Sequence, residues 1–455
     1  MEIIRFVNDN ILWGAPMLIL MVGTGVYLSF KTKGIIFRKF GLILRLTLKG
    51  IFEKRPDSES GVSPFAAVST ALAGTVGTGN IVGVAIAVGT GGPGAIFWMW
   101  ICAMLGMVTK FSEVTLALTY RRKGRDGKYF GGPMCYITDG LNCRPLAVIF
   151  CLFAIACSLG VGNSVQANSL AESASSAFGV SPVISGAAAS LLAGLVLIGG
   201  INRISKVAEI LVPFMALLYI GGAAVVLFTN RSQILPAFSM IFADAFKGTS
   251  AIGGFCGAST TYALRTGVAK GVFTNEAGLG SAPIAHASAD TDHPARQGLW
   301  GVFEVFFDTV IMCTVTGLVV ITSGLWQSSD FSESVQRAFG NTFFGGEYLV
   351  AAGLAAFAFA TIIAWYYYGE RCVEFVFGKK AITIYRLVFV GTVFVGANAN
   401  IGAVWEIADF LNGMMAIPNL IAIFALTPVV KRLSEDFFAS PYKLRREKDF
   451  SKLIK

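Results

Sequence analysis

Apolar stretches of about 20 residues, each long enough to cross about 30 Å of hydrocarbon, recur along the whole 455-residue chain. They fall near 11–30, 63–89, 94–119, 145–168, 180–200, 207–228, 237–263, 298–322, 346–369, 381–397 and 400–428. No soluble core absorbs so much apolar sequence. Charged residues make up only 14% of the chain, against about 25% in soluble domains, and mean hydropathy is +0.67. In hydrocarbon every backbone polar group must be paired within its own segment, so such stretches fold as helices. The expectation is an all-α integral membrane protein of about eleven transmembrane helices, embedded in the lipid bilayer. A cytosolic enzyme and a secreted disulfide scaffold are poor readings of it.

The net charge of +9 invites a nucleic-acid reading until the charges are placed. With the N-terminus outside, 31 of the 36 Lys and Arg fall in inside loops, and only Arg5, Arg231 and Arg337 in outside ones. Lys110 and Lys247 lie within apolar stretches. Such a bias selects one orientation: N-terminus outside, C-terminus cytoplasmic, in the cell (plasma) membrane. The basic balance is thus a topology signal, with no nucleic acid implied. The stretch 11–30 lacks a small-residue cleavage site and runs into a basic loop, so it is a span rather than a signal peptide. The eight Cys form no CxxC pair, and His286 and His293 have no ligand cluster around them, so neither a disulfide framework nor a metal centre is expected. Oligomeric state is left open, a monomer included.

Two stretches carry interruptions. The second is broken by AGTVGTGN at 73–80 and the seventh by IGGFCGAS at 252–259. The seventh stands five places after the second, an odd number, so the two run in opposite directions. Gly-interrupted spans at matching positions of inverted halves point to a transporter's binding site. The chain then divides into an extra N-terminal helix with a basic segment (1–60), a first five-helix repeat (61–230), a second, inverted one (231–430) and a polar cytoplasmic tail (431–455). A break leaves bare N–H groups at the start of one half-helix, which suit a carboxylate. It leaves bare carbonyls at the end of the other, which suit Na⁺ or an ammonium. Close helix packing is the bland account of such glycines.

On this reading the N–H groups of Thr78, Gly79 and Asn80 face an anion, and the carbonyls of 73–77 face a cation. Thr361 is the lone hydroxyl in AAFAFATIIAW. A Thr in a helix commonly bonds back to the preceding turn, but beside a broken helix it can serve as a sodium ligand. Asn163 and Gln166 share a helix face, either as interhelical ties or lining the substrate path. Lys110 with Glu113, and Asp244 with Lys247, read as locally neutralising pairs. Glu304 with Asp308, and Glu406 with Asp409, are acid pairs without a sequence-local partner, open to proton relay, cation binding or capping roles. Phe255 and Trp365 are the bulky side chains nearest the two half-sites and the candidate walls against a substrate side chain.

The segment GGPGAIFWMWICAMLG at 91–106 closely resembles the signature of the sodium:alanine symporter family, the alanine or glycine:cation symporters. GVFTNEAGLGSAP at 271–283 and FDTVIMCTVTG at 307–317 resemble further hallmarks, and TALAGTVGTGNIVGVA at 70–85 and TIIAWYYYGE at 361–370 also fit. The resemblance implies a LeuT-type 5+5 inverted-repeat fold with one additional N-terminal helix. It also implies uptake of L-alanine, with glycine, D-alanine or other small neutral amino acids as further candidates, driven by Na⁺ as coupling ion and without an organic cofactor. It further implies carboxylate contacts from the backbone at Thr78 and Gly79. Sodium ligands would come from the carbonyls near Ala73 and Val76, with Ala358 and Thr361 opposite. Some relatives carry two adjacent hydroxyls at that point, where this chain has Thr361 followed by Ile362. Gly253, Gly254 and Phe255 match the other unwound segment, with Phe255 as lid or wall, and Asn80 stands where some relatives coordinate a second sodium.

A secondary symporter is therefore the leading reading, with an H⁺-coupled amino acid transporter and then an ion channel as alternatives. A membrane enzyme would want a set such as HExxH or GxSxG, and neither occurs.

Overall fold

The computed structural model describes residues 2–52, 60–124, 127–246, 258–327, 331, 333–399 and 402–443. They are almost wholly helical, apart from a two-stranded hairpin at 122–123 and 129–130. Among them eight helices are long and apolar enough to span a membrane, and a ninth span is a pair bent by 53°.

The chain opens with α1 (Glu2–Val7), a π-helical turn at Asn8–Leu12, and α2 (Ala15–Lys31). The bent pair follows. α3 (Pro64–Thr75) is nucleated by Pro64 at its first position and by Ser63, whose side chain accepts the Ala66 N–H. Both are strong start signals. After a short break the chain resumes as α4 (Gly79–Gly91). Next come α5 (Gly94–Thr119), α6 (Arg144–Phe178), the short apolar α7 (Pro182–Leu197) and α8 (Gly200–Thr229).

The second half holds α9 (Ile234–Phe246), α10 (Ala258–Asn275), α11 (Ala282–His286), α12 (Pro294–Thr322), α13 (Gly346–Phe377), α14 (Ala381–Asn398) and α15 (Gly402–Ala425). α5 packs on α12, α6 on α13, and α7 on α14. Each pair joins a span to the one five places later, the meeting that an inverted repeat produces across its axis. The half-helices pair likewise, α3 with α11 and α4 with α10.

The stretch 237–263, expected to be one span, divides instead. Residues 247–257 lie outside the description, so Gly253, Gly254 and Phe255 do as well. α10 runs beside α5 in the same direction: Gly267 lies against Ala95 and Trp98, Gly271 against Met99 and Cys102, and Ala277 against Gly106. The segment 264–283, expected to be an inside loop, is therefore inside the bundle. Hydropathy misplaces it because Arg265, Lys270, Asn275 and Glu276 face pockets and partners rather than lipid. The interruption of span seven that meets the first break lies at 276–281, between α10 and α11. There Glu276, Gly278 and Gly280 all adopt positive φ.

Candidate functional site

The first break is short. Glycines at 74, 77 and 79 weaken the helix, Val76 is extended, and α4 restarts as a π turn over Gly79–Gly83. Two further π segments, Gly160–Ser164 in α6 and Phe306–Cys313 in α12, lie in spans that touch the break. Such stretches are rare and gather where the helical ladder serves something else.

The Asn80 side chain fixes the break: its Oδ1 accepts the Gly77 N–H (3.0 Å), and its Nδ2 donates to the Asp308 carboxylate (2.7 Å) and carbonyl (3.2 Å). Thr309 Oγ1 donates to the other Asp308 oxygen at 2.8 Å. Asp308, whose role was open, thus anchors the first break from α12, and Asn80 belongs to that anchor.

Thr361 Oγ1 lies 3.0 Å from the Ala73 carbonyl oxygen at the end of α3, and 3.0 Å from the Phe357 carbonyl of its own helix. Val76 and Ala358 are fully buried, Val76 one turn past Ala73 and Ala358 one turn before Thr361. A Cβ on Gly77 would come within 2.9 Å of Thr361 Oγ1, so a bare glycine lets the two helices meet here. Thr78 Oγ1 donates to Gln166 Oε1 (3.2 Å), bringing that amide to the break. Asn163 is not brought there. Its Nδ2 donates to the Phe389 carbonyl of α14 (2.8 Å), an interhelical tie.

The second break is held both from other spans and by its own residues. Gly278 N–H donates to Glu113 Oε1 of α5 (3.1 Å), while Asn419 of α15 bonds both the Gly278 carbonyl (2.9 Å) and Glu113 Oε1 (2.5 Å). Tyr136, in the helix Pro133–Gly140, donates to Asn419 Oδ1. Asn275 Oδ1 accepts the Ala277 N–H (3.0 Å) and the Ser281 hydroxyl donates to Glu276.

The reading of Lys110 and Glu113 as a local pair is corrected by this arrangement. Lys110 Nζ reaches Glu304 at 3.3 Å, and Glu304 also meets His286 Nε2 at 2.9 Å. Gln297 continues the chain to His286 Nδ1 at 3.0 Å. All four side chains are buried, and they lock α11 to α5 and α12. Glu304 therefore has partners, but they come from other spans. Likewise Asp244 accepts the Gly94 N–H (2.9 Å), and Lys247 lies outside the described residues. Glu406 pairs with Arg5 of α1 at 2.7 Å, and Trp13 donates to the Asp409 carbonyl (3.1 Å).

Between the two breaks lies a small cavity of about 20 Å³, room for roughly one water. The first break contributes Gly74, Thr75, Gly77 and Gly79, and α10 with its end contributes Phe273, Thr274 and Glu276. Gln166, Thr361, Trp365 and Asn412 close the far side. A pocket of about 640 Å³ opens at the face of the bundle that carries the N-terminus, lined among others by Arg5, Arg265, Lys270, Glu406 and Asp409. Phe273 lines both, so its ring separates the outer pocket from the inner one. On the opposite side Trp365 and Tyr368 meet edge to face at 5.5 Å.

Of the residues singled out from the sequence, Gly79, Gln166, Thr361 and Trp365 line this cavity and Thr78 bonds to Gln166 beside it, while Phe273, Thr274, Glu276 and Asn412 line it without having been singled out. The signal for the missed residues was the glycine pair of NEAGLGS, a second interrupted segment hidden by its polar flanks.

Two broken half-helix pairs meet in mid-bundle, α3 with α11 and α4 with α10, the arrangement of a LeuT-type fold. The fold is that of solved members of this class. It matches a manganese transporter of Eremococcus coleocola with a TM-score of 0.51, at 14% identity over 86% of this chain and 83% of that one. It also matches a Na⁺-coupled sialic acid symporter, TM-score 0.51, at 13% identity over 89% of this chain and 86% of that one. The chain belongs to the sodium:alanine symporter family, whose model matches residues 1–452. It is 43% identical to the sodium/alanine symporter AgcS of Methanococcus maripaludis, over 94% of this chain and 96% of the relative. It is 38% identical to the "Probable sodium/glutamine symporter GlnT" of Bacillus subtilis (strain 168), over 96% of this chain and 90% of the relative. The protein is thus a cation-coupled amino acid symporter of the membrane, and not an enzyme.

Proposed function

We propose that the protein takes up alanine, with glycine and other small neutral amino acids including D-alanine, together with Na⁺ by alternating access. The observation that carries this is the 3.0 Å approach of Thr361 Oγ1 to the Ala73 carbonyl. A hydroxyl on one span meets the negative end of a broken helix on another, deep in the bundle. A hard cation wants just such oxygens, and the carbonyls of Val76 and Ala358 complete the set. The substrate carboxylate lies at the positive start of α4, against Thr78 and Gly79. The walls are Gln166, Phe273 and Trp365. These three bulky groups would keep a large side chain out.

In this reading the N-terminus faces outside and the C-terminus the cytoplasm of a plasma-membrane protein. Arg265 and Lys270 leave the inside set, since they line the outer pocket, and the charge bias survives their removal. Two five-span halves, 61–230 and 231–430, follow an N-terminal segment 1–60 and precede the tail 431–455. The outer pocket and its Phe273 partition then belong to a state open to the outside as far as that ring. The small cavity must widen by side-chain movement to admit an amino acid.

Uptake of labelled alanine into proteoliposomes tests this, with imposed gradients of Na⁺, K⁺ and H⁺ in separate arms. Accumulation above equilibrium with the Na⁺ gradient alone is the expected result. Accumulation on the H⁺ gradient without Na⁺ overturns the coupling, and accumulation of glutamine in preference to alanine overturns the substrate.

A further inference from the structure

We propose that the Glu276 carboxylate receives the ammonium group of the bound amino acid, a role that deepens the amino acid reading above and rests on it. Among the residues lining the cavity between the two breaks, Glu276 is the only one with an ionisable side chain. It is 4% exposed. A carboxylate set in a hydrocarbon bundle is costly unless a cation meets it. Ser281 donates to one of its oxygens, and no hydrogen bond from a described residue reaches the other.

The backbone makes the point independently. Glu276 sits at φ +53°, the left-handed region, while its neighbours Gly278 and Gly280 sit at +94° and +84°. Glycine enters that region without cost, whereas a Cβ there crowds the following carbonyl. The loop spends a glutamate where a glycine would fold more easily. Residues held this way cluster where the side chain is needed.

The field of the cavity agrees. α10 ends at Asn275, so its negative dipole end lies beside Glu276, while α4 presents its positive start at Gly79 on the other side. A zwitterion bound between them has its carboxylate toward Gly79 and its ammonium toward Glu276, with both ends in register with the two half-helices. Backbone carbonyls alone would offer the ammonium only their dipoles, and Glu276 adds a carboxyl oxygen that no described residue bonds.

The experiment is a titration of melting temperature in detergent at saturating Na⁺, with amino acids and with their α-hydroxy analogues, in which a hydroxyl replaces the ammonium. Alanine is paired with L-lactate, glycine with glycolate, and glutamine with its hydroxy analogue. In the wild type the amino acid outbinds its analogue. Glu276→Gln is expected to lose roughly ten- to hundredfold of amino acid affinity, the scale of one charge-assisted hydrogen bond, while the analogue's affinity is unchanged. Glu276→Gly relieves the backbone conformation, so it should melt no lower than Glu276→Gln and show the same selective loss. Glu276→Asp should restore part of it.

Equal losses for amino acid and analogue overturn the proposal, because they mark a merely structural residue. So does a shift confined to Na⁺ half-saturation, which would place the acid on the ion instead. A wild type that answers to glutamine but not to alanine corrects the substrate reading alone, and the glutamine pair then decides Glu276. A wild type that answers to no amino acid overturns both.

Discussion

The two helix breaks are held by the same chemistry in opposite ways. Each pairs an amide with a carboxylate: Asn80 with Asp308 at the first, Asn419 with Glu113 at the second. The carboxylates stand on α12 and α5, spans that correspond under the inverted repeat and pack on each other. At the first break, however, the amide belongs to the broken span itself and caps its own Gly77. At the second it comes from α15, with Tyr136 behind it. The first break therefore carries its own brace and leaves its carbonyl end to a single hydroxyl from α13. The second has a brace of its own in Asn275, which caps the Ala277 N–H, but the amide on its carboxylate clamp comes from another span, and it ends in one glutamate. The lesson is a division of labour, with the first break free to exchange ligands and the second mounted on the scaffold.

The largest effect should come from unmounting the scaffold. Glu113→Ala strips acceptors from the Gly278 N–H and the Asn419 amide at once. A buried donor left unpaired costs roughly 1–3 kcal/mol, and hydrocarbon offers no water to replace the acceptor. The melting temperature in detergent should fall by several degrees more than in Asp308→Asn, which keeps an oxygen for Asn80. Asp308→Asn should instead show up in transport. Equal melting temperatures for the two variants would erase the proposed division between the breaks.

A second contrast lies within the first break. A Cβ on Gly77 would stand 2.9 Å from Thr361 Oγ1, and one on Gly79 would stand 3.4 Å from Phe273 and Thr274. Gly77→Ala must push the hydroxyl aside, whereas Gly79→Ala fits with little movement. We expect Gly77→Ala to raise the Na⁺ concentration for half-maximal uptake by more than tenfold, and Gly79→Ala by less than threefold. Gly79→Val, which overfills the same space, should weaken substrate binding instead. Uptake measured across a Na⁺ series on all three variants separates the ion end of the break from the carboxylate end.

How much of this could be read beforehand follows the same contrast. The first break was legible because its glycines interrupt a strongly apolar stretch, and the contrast with their surroundings is sharp. Thr361 was legible because it is the one hydroxyl in an apolar run. The second break was hidden because Arg265, Lys270, Asn275 and Glu276 make α10 look like a loop to any hydropathy window. Asn275 and Glu276 are buried, and Arg265 and Lys270 line the outer pocket, among partners that only the fold supplies. The partners of Glu113 and Glu304 were unreadable for a related reason: Gly278 is 165 residues away and Lys110 is 194. Spacing reports local neighbours, and in a bundle of inverted halves the decisive ones are distant.

A smaller effect is expected when the hydroxyl itself is removed. Thr361→Ala deletes one oxygen beside the Ala73 carbonyl and nearly preserves packing, so insertion and melting temperature should change little. The half-saturating Na⁺ concentration should rise about tenfold, equivalent to about 1.4 kcal/mol, and Thr361→Ser should recover most of it. An unchanged Na⁺ dependence in Thr361→Ala would take the side chain out of the ion site, leaving backbone carbonyls as its only ligands.

The smallest effect concerns the walls rather than the breaks. Phe273 ends the scaffold side of the cavity and Trp365 faces it from α13, one turn past Thr361. Gly162 lets Trp365 sit tightly: a Cβ there would lie 2.3 Å from the Trp365 side chain. The indole is therefore held in place and sets a fixed limit on substrate size, whereas Phe273 also lines the roomier outer pocket and has space to swing. Enlarging a site by one or two methylene equivalents is worth about 0.8 kcal/mol for each. Trp365→Phe should accordingly improve valine relative to alanine by roughly three- to tenfold, at some loss of alanine affinity. Phe273→Leu should change the rank order less and instead speed exchange of bound alanine, because it thins the partition to the outer pocket. Competition across glycine, alanine, valine and leucine, with dissociation rates for alanine, distinguishes the two rings. If Phe273→Leu shifts the rank order and Trp365→Phe does not, the fixed wall and the movable one are the other way round.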